Sequence, residues 1–141
     1  MSPTYFRGIV ITSLVLTAAA SVIDWLFPSL ISQALTDALH NEPPYEFIET
    51  QPFLALAVFL PWILAAVAST IGLLFFKRWA RVVALYSTLI GLAFYPFFGA
   101  TVSSALASAL SEASFLLWGA VLALAYFSPI SERFMVGGTR P

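Results

Sequence analysis

Residues 53–98, FLALAVFLPWILAAVASTIGLLFFKRWARVVALYSTLIGLAFYPFF, decide how this chain folds. The stretch is apolar on both sides of one basic patch, Lys77, Arg78 and Arg81. As a single α-helix it would be about 69 Å long, more than twice the roughly 30 Å of bilayer hydrocarbon. A tight hairpin at KRWAR resolves the mismatch. It gives two antiparallel spans, over 53–76 and 79–98. Pro61 lies inside the first and is expected to bend it, which neighbouring helices tolerate.

Two further apolar runs flank this hairpin. Residues 8–27, GIVITSLVLTAAASVIDWLF, cover about 30 Å as a helix. Pro28 ends that run. Residues 109–128 form the other, closed by Ser128-Pro129. The expected architecture is all-α: a four-helix transmembrane bundle forming one integral membrane domain over 1–141. Between the first two spans, residues 29–40, SLISQALTDALH, place Leu30, Ile31, Ala34, Leu35, Ala38 and Leu39 at helical spacing. This predicts a short amphipathic helix on the outer membrane surface. Pro43, Pro44 and Pro52, with Glu42, Glu46 and Glu49, make 41–52 a loop in water. An alternative reading of the start exists. Arg7, an apolar stretch and Ala18-Ala19-Ala20 mimic a cleavable signal peptide, but the apolar run continues to Phe27.

Charge orients the bundle. The six basic residues are Arg7, Lys77, Arg78, Arg81, Arg133 and Arg140, and all fall on one side once the runs cross a bilayer. The connections 28–52 and 99–113 hold no Lys or Arg. The positive-inside rule then puts both termini in the cytoplasm, with Arg7, Lys77, Arg78, Arg81 and Arg133 as cytoplasmic anchors.

Composition excludes several classes. The chain is 60% hydrophobic and 9% charged, where soluble domains carry about 25% charged residues. The net charge of −1 and the scattered basic residues give nucleic acid no groove. With no cysteine, disulfides, thiolate nucleophiles and Cys-ligated zinc are ruled out. No Ser-His-acid set, Gly-rich phosphate loop or paired intramembrane carboxylates assemble from this sequence, so no enzyme activity and no cofactor are expected.

The candidate polar residues lie mostly on span 1. Ser13, Thr17, Ser21 and Asp24 fall within an arc of about 80° at 100° per residue. This seam ends in a carboxylate near the outer headgroups. The favoured reading is an interfacial anchor, or a helix-end carboxylate paired within the bundle; the alternative is a protonatable transport site. Glu112 is read at the outer start of span 4, with Ser111-Glu112 as a capping signal. His40, the single histidine, is read with Glu112 as an outer-face polar group; it lacks metal-ligand spacing. Small residues recur at i,i+4: Ala65/Ser69, Ala68/Gly72, Ser87/Gly91 and Gly119/Ala123. Such spacing lets helix backbones approach closely, for internal packing first and dimerisation second.

FFKRWAR at 75–81 and WGAVLALAYFSPISERF at 118–134 resemble segments of small four-span bacterial inner-membrane proteins of no established function. The resemblance implies the bacterial inner membrane and implies no active site. The leading expectation is a non-catalytic protein acting through helix–helix contacts, in an accessory, assembly or protective role. Its partners are the lipid bilayer and another membrane protein or a second copy. A small oligomeric transporter or channel using Asp24 and the Ser/Thr seam is the runner-up. An immunity protein against a membrane-targeted toxin is third.

Reporter fusions check the topology. Fusions after Lys77 and after Arg140 are expected to report cytoplasm, and one at Glu46 the outside. A cytoplasmic signal at Glu46 overturns the map.

Overall fold

The computed structural model describes residues 2–34, 37, 52–95 and 102–136. Four long helices carry the described residues: α1 Pro3–Leu26, α2 Pro52–Leu74, α3 Arg78–Phe94 and α4 Ala105–Phe127. A short helix, α5 Ser131–Val136, follows. There is no strand among the described residues. Among the described residues three helices are long and apolar enough to cross a membrane: 24 residues from Pro3, 22 from Phe53 and 23 from Ala105. α3 is shorter, 17 residues with Arg78 and Arg81 in its first turn. At 1.5 Å per residue it covers about 26 Å.

Local chemistry sets the boundaries. α1 starts five residues before the expected Gly8, because Ser2 accepts from the Tyr5 N–H at 3.4 Å and Pro3 occupies the first turn. Pro is favoured there, since its missing N–H has no helical partner anyway. α4 starts at Ala105, four residues before the expected 109, because Ser104 caps it by accepting from the Ala107 N–H at 3.2 Å. The Ser111-Glu112 capping assignment is thereby corrected: both lie inside the helix. Near the start of the loop after α1, Pro28–Leu30 forms one 3₁₀ turn. Gln33, Ala34 and Asp37 have helical backbone. The rest of the expected amphipathic helix, including Leu35, Leu39 and His40, lies outside the described residues.

The expected hairpin is present, but its turn lies at Phe75–Lys77, and Arg78–Arg81 of KRWAR already belong to α3. Phe76 takes a left-handed backbone with φ 54°. Its N–H donates to the Leu73 carbonyl at 3.1 Å, and Lys77 N–H donates to the Gly72 carbonyl at 2.9 Å. These two bonds make a Schellman stop, which ordinarily uses Gly. A left-handed residue with a Cβ costs about 1–2 kcal/mol. The Phe76 ring offsets that cost by packing 5.6 Å from Phe6 and 5.3 Å from Phe134.

The helices form two antiparallel pairs, α1 with α4 and α2 with α3. The pairs meet in a cluster at the basic end: Phe6, Val10, Leu73, Ala80, Ala84, Val121, Ala125, Ile130 and Phe134. Farther along, the Trp118 indole donates to Thr88 Oγ1 at 2.9 Å, joining α4 to α3. Small residues fill many of the contacts, with Ala80, Ala84, Ala125, Ser13, Ser69, Ser87 and Ser114 all buried. Large apolar side chains point outward: Phe53 is 87% exposed, Leu116 77% and Phe127 91%. That inside-out distribution suits helices surrounded by lipid, where close backbone approach holds helices together.

Gly72 and Gly119 separate the two uses of small residues. A Cβ on Gly72 would stand 2.6 Å from the Ala80 Cβ, and one on Gly91 would stand 2.8 Å from the Trp62 ring. Both glycines are needed for the α2–α3 contact. A Cβ on Gly119 would meet nothing within 4 Å. Gly119 and Ala123 are exposed on the outer face of α4, so internal packing does not use them. Gly72→Ala is expected to destabilise the protein by about 1–3 kcal/mol through overpacking. Gly119→Ala is expected to leave stability unchanged or slightly raised. Unfolding in mixed detergent, followed by circular dichroism, checks the pair.

Candidate functional site

The polar seam of α1 faces α4, and its members divide into three kinds of contact. Ser13 is 2% exposed and Ser114 5% exposed, where the two helices cross. The Ser13 hydroxyl donates to the Ser114 carbonyl at 3.1 Å, and the Ser114 hydroxyl donates to the Ser13 carbonyl at 2.9 Å. Thr17 Oγ1 lies 2.6 Å from Ser114 Oγ and 3.0 Å from the Ser13 carbonyl. With Ser13 and Ser114 donating to each other's carbonyls, Thr17 is left to donate to either acceptor. All three hydroxyl protons are then used. Ser21 is different: it is exposed and donates at 2.9 Å to the Thr17 carbonyl of its own helix.

Asp24 closes the seam at the opposite end from the basic residues. A carboxylate in the last turn of a helix opposes that helix's own dipole. The start of α4 supplies the compensation. Ser104 N–H donates to Asp24 Oδ2 at 3.0 Å, and the Ser104 hydroxyl donates to Asp24 Oδ1. Ser104 therefore works both ways, capping α4 through its oxygen and holding Asp24 through its hydrogen. The positive end of the α4 dipole faces the same carboxylate. Both carboxylate oxygens are engaged, which is what a structural clamp requires.

Glu112 lies more than two turns inside α4 and is exposed on its surface. Asp24 pairs with Ser104 rather than with Glu112, and His40 lies outside the described residues. Among the described residues no three of His, Asp and Glu group as a metal site.

The basic residues assemble at the other end. Arg7 Nε donates at 3.0 Å to the Leu74 carbonyl, one of the last carbonyls of α2. Its guanidinium sits 5.4 Å over the Phe76 ring. The Arg81 guanidinium lies near two rings, 5.4 Å from Tyr126 and 6.0 Å from Phe134. Its Nε is buried with no hydrogen-bond partner among the described residues. Lys77, Arg78 and Arg133 are exposed.

Sequence reading found the arc of the seam and missed its partners. Ser114 carries no signal, since one serine in a Ser/Ala-rich helix looks like any other. Ser104 had one: Ser103-Ser104 stands directly before an apolar helix, the usual place of an N-cap.

Double-mutant cycles separate the two polar contacts. The Asp24→Ala/Ser104→Ala cycle is expected to show coupling of about 1.5–3 kcal/mol, the range for hydrogen bonds to a charged group. Ser13→Ala/Ser114→Ala is expected to show coupling near zero, because each hydroxyl bonds the other residue's backbone carbonyl, which alanine keeps. Equal coupling in both would show that the carboxylate adds nothing.

Comparison of the chain with protein-family models, with curated proteins and with solved structures finds no match.

Proposed function

We propose that this is a non-catalytic multi-pass membrane protein that acts through helix–helix contacts. α3 crosses as the fourth span, both termini lie in the cytoplasm, and the membrane is the bacterial inner membrane. The observation that carries this reading is the engagement of the polar seam in α1–α4 packing. Ser13, Thr17 and Asp24 are bonded to α4. A transport path needs such groups to line a cavity with polar groups opposite. Two open pockets among the described residues are walled mostly by apolar groups. One of about 290 Å³ is bordered by Thr4, Tyr5, Gly8, Ile9, Thr12 and Leu117. The other, about 380 Å³, lies between α2 and α3 beside Val58, Trp62, Val83, Ser87 and Ile90. Neither includes Asp24.

The outer face of α4 supports the same reading. Gly119 and Ala123 sit one turn apart and point away from the rest of the chain. A second helix can approach closely at these two positions, between the exposed rings of Phe115 and Phe127, which is how small residues serve contacts between membrane helices. An accessory, assembly or protective role needs such a face, and catalysis does not.

Proton flux tests the reading against transport. The purified chain in liposomes with an imposed pH gradient is expected to leak protons no faster than empty vesicles. Asp24→Asn is expected to behave identically. Flux through the wild-type protein, lost in a folded Asp24→Asn variant, would replace this function with transport.

A further inference from the structure

We propose that the basic end of the molecule binds the phosphodiester of an anionic phospholipid, with Arg81 as the principal contact. The site lies where α3, α4 and α5 meet. The Arg81 guanidinium carbon lies 5.4 Å from the centre of the Tyr126 ring and 6.0 Å from that of Phe134. A ring contact holds a cation without using up its hydrogen-bond donors, and the donors of a guanidinium match phosphate oxygens in pairs. Arg81 Nε is enclosed without a partner among the described residues, so the terminal nitrogens of this part-buried side chain are the ones that meet the phosphate.

The surroundings add to the same field. Lys77 caps α3 with no side-chain bond, and no acidic residue stands in that helix's first turn. The positive end of the α3 dipole thus adds to Lys77, Arg78 and Arg81. Arg7 is anchored nearby through Phe76, which packs on Phe134. The described part of α5 carries one acidic residue, Glu132, in its first turn. Lipid is the source of the phosphate because of where the site stands. Phe75 is 66% exposed and Trp79 49% exposed, at the ends of two apolar helices. Aromatic residues in that position mark the headgroup level of a bilayer, where anionic headgroups meet basic clusters.

The inference rests on the helices lying in a membrane, not on which side the basic end faces. Native mass spectrometry of the full chain in detergent tests it, with phosphatidylglycerol and phosphatidylcholine of matched acyl chains. The wild-type chain is expected to prefer phosphatidylglycerol by about tenfold or more. Arg81→Gln is expected to lose most of that preference, while Arg78→Gln loses about fivefold or less, the share of one exposed charge. Arg81→Lys keeps the charge but not the planar fork, and is expected to fall between Arg81→Gln and wild type. Equal binding of the two lipids by the wild-type chain would overturn the proposal, whatever the variants do. Equal losses in Arg81→Gln and Arg78→Gln would also overturn it, leaving only a diffuse surface charge. Alkaline extraction of membranes separates the two levels of failure. A chain released as soluble protein would sink the membrane reading itself. A chain retained in membranes without lipid preference would sink this inference alone.

Discussion

Lipid removes the hydrophobic gain that assembles helices in water, because a leucine is as well solvated by acyl chains as by protein. What remains is close packing and hydrogen bonding. Both need small residues at the contacts, and the burial pattern of this chain obeys that constraint. Ala80 and Ala84 are fully buried, while Leu116 and Phe127 point outward. Gly72 shows how tight the fit is, since one added carbon would collide with Ala80. The serines of the α1–α4 crossing follow from the same constraint. Their reciprocal bonds to each other's carbonyls are possible only because neither side chain keeps the backbones apart.

Each end of the molecule then carries a different kind of fastening. At the Asp24 end, one carboxylate takes two bonds from Ser104 and sits against the positive pole of α4. At the basic end, cations meet ring faces rather than acids, with Arg7 over Phe76 and Arg81 beside Tyr126 and Phe134. The contrast has a physical reason. An ion pair in apolar surroundings must overcome the desolvation of both partners. A ring face attracts a cation while adding apolar surface of its own. Phe76 shows that this surface matters, because it takes a left-handed backbone that Gly would adopt without strain.

The sequence was most legible where one physical limit decides the answer. The limit of bilayer thickness predicts a break near Lys77–Arg81, and the helices end at Leu74 and begin at Arg78, a few residues earlier. Helical geometry alone puts Ser13, Thr17 and Asp24 on one face, and that face meets α4. Legibility failed where two positions carry the same local signal. Ser104 and Ser111 both look like caps, and only Asp24, 80 residues away from Ser104 in the chain, favours the first. The small-residue spacing failed in the same way. Ala68/Gly72 and Gly119/Ala123 read alike, yet Gly72 is packed against α3 and Gly119 faces outward. Spacing shows that a helix has a smooth face; it does not show what lies opposite.

The arrangement in pairs makes the consequences of damage unequal. The seam belongs to α1 and α4 alone, so loosening Ser13 or Ser114 weakens one pair and leaves the α2–α3 hairpin with its own contacts. Those are Gly72 on Ala80, and the Trp62 indole donating to the Ser87 carbonyl at 2.8 Å. The aromatic cluster belongs to both pairs. Phe6 comes from α1, Phe134 from α5, and Phe76 from the turn between α2 and α3. Removing a ring there opens contacts on both sides at once. Phe→Ala in a packed core costs about 3–5 kcal/mol. The strain relieved by placing Gly at 76 returns only about 1–2 kcal/mol of it. The same balance explains why a bulky residue persists at a turn whose backbone favours glycine: its ring joins the two halves of the molecule.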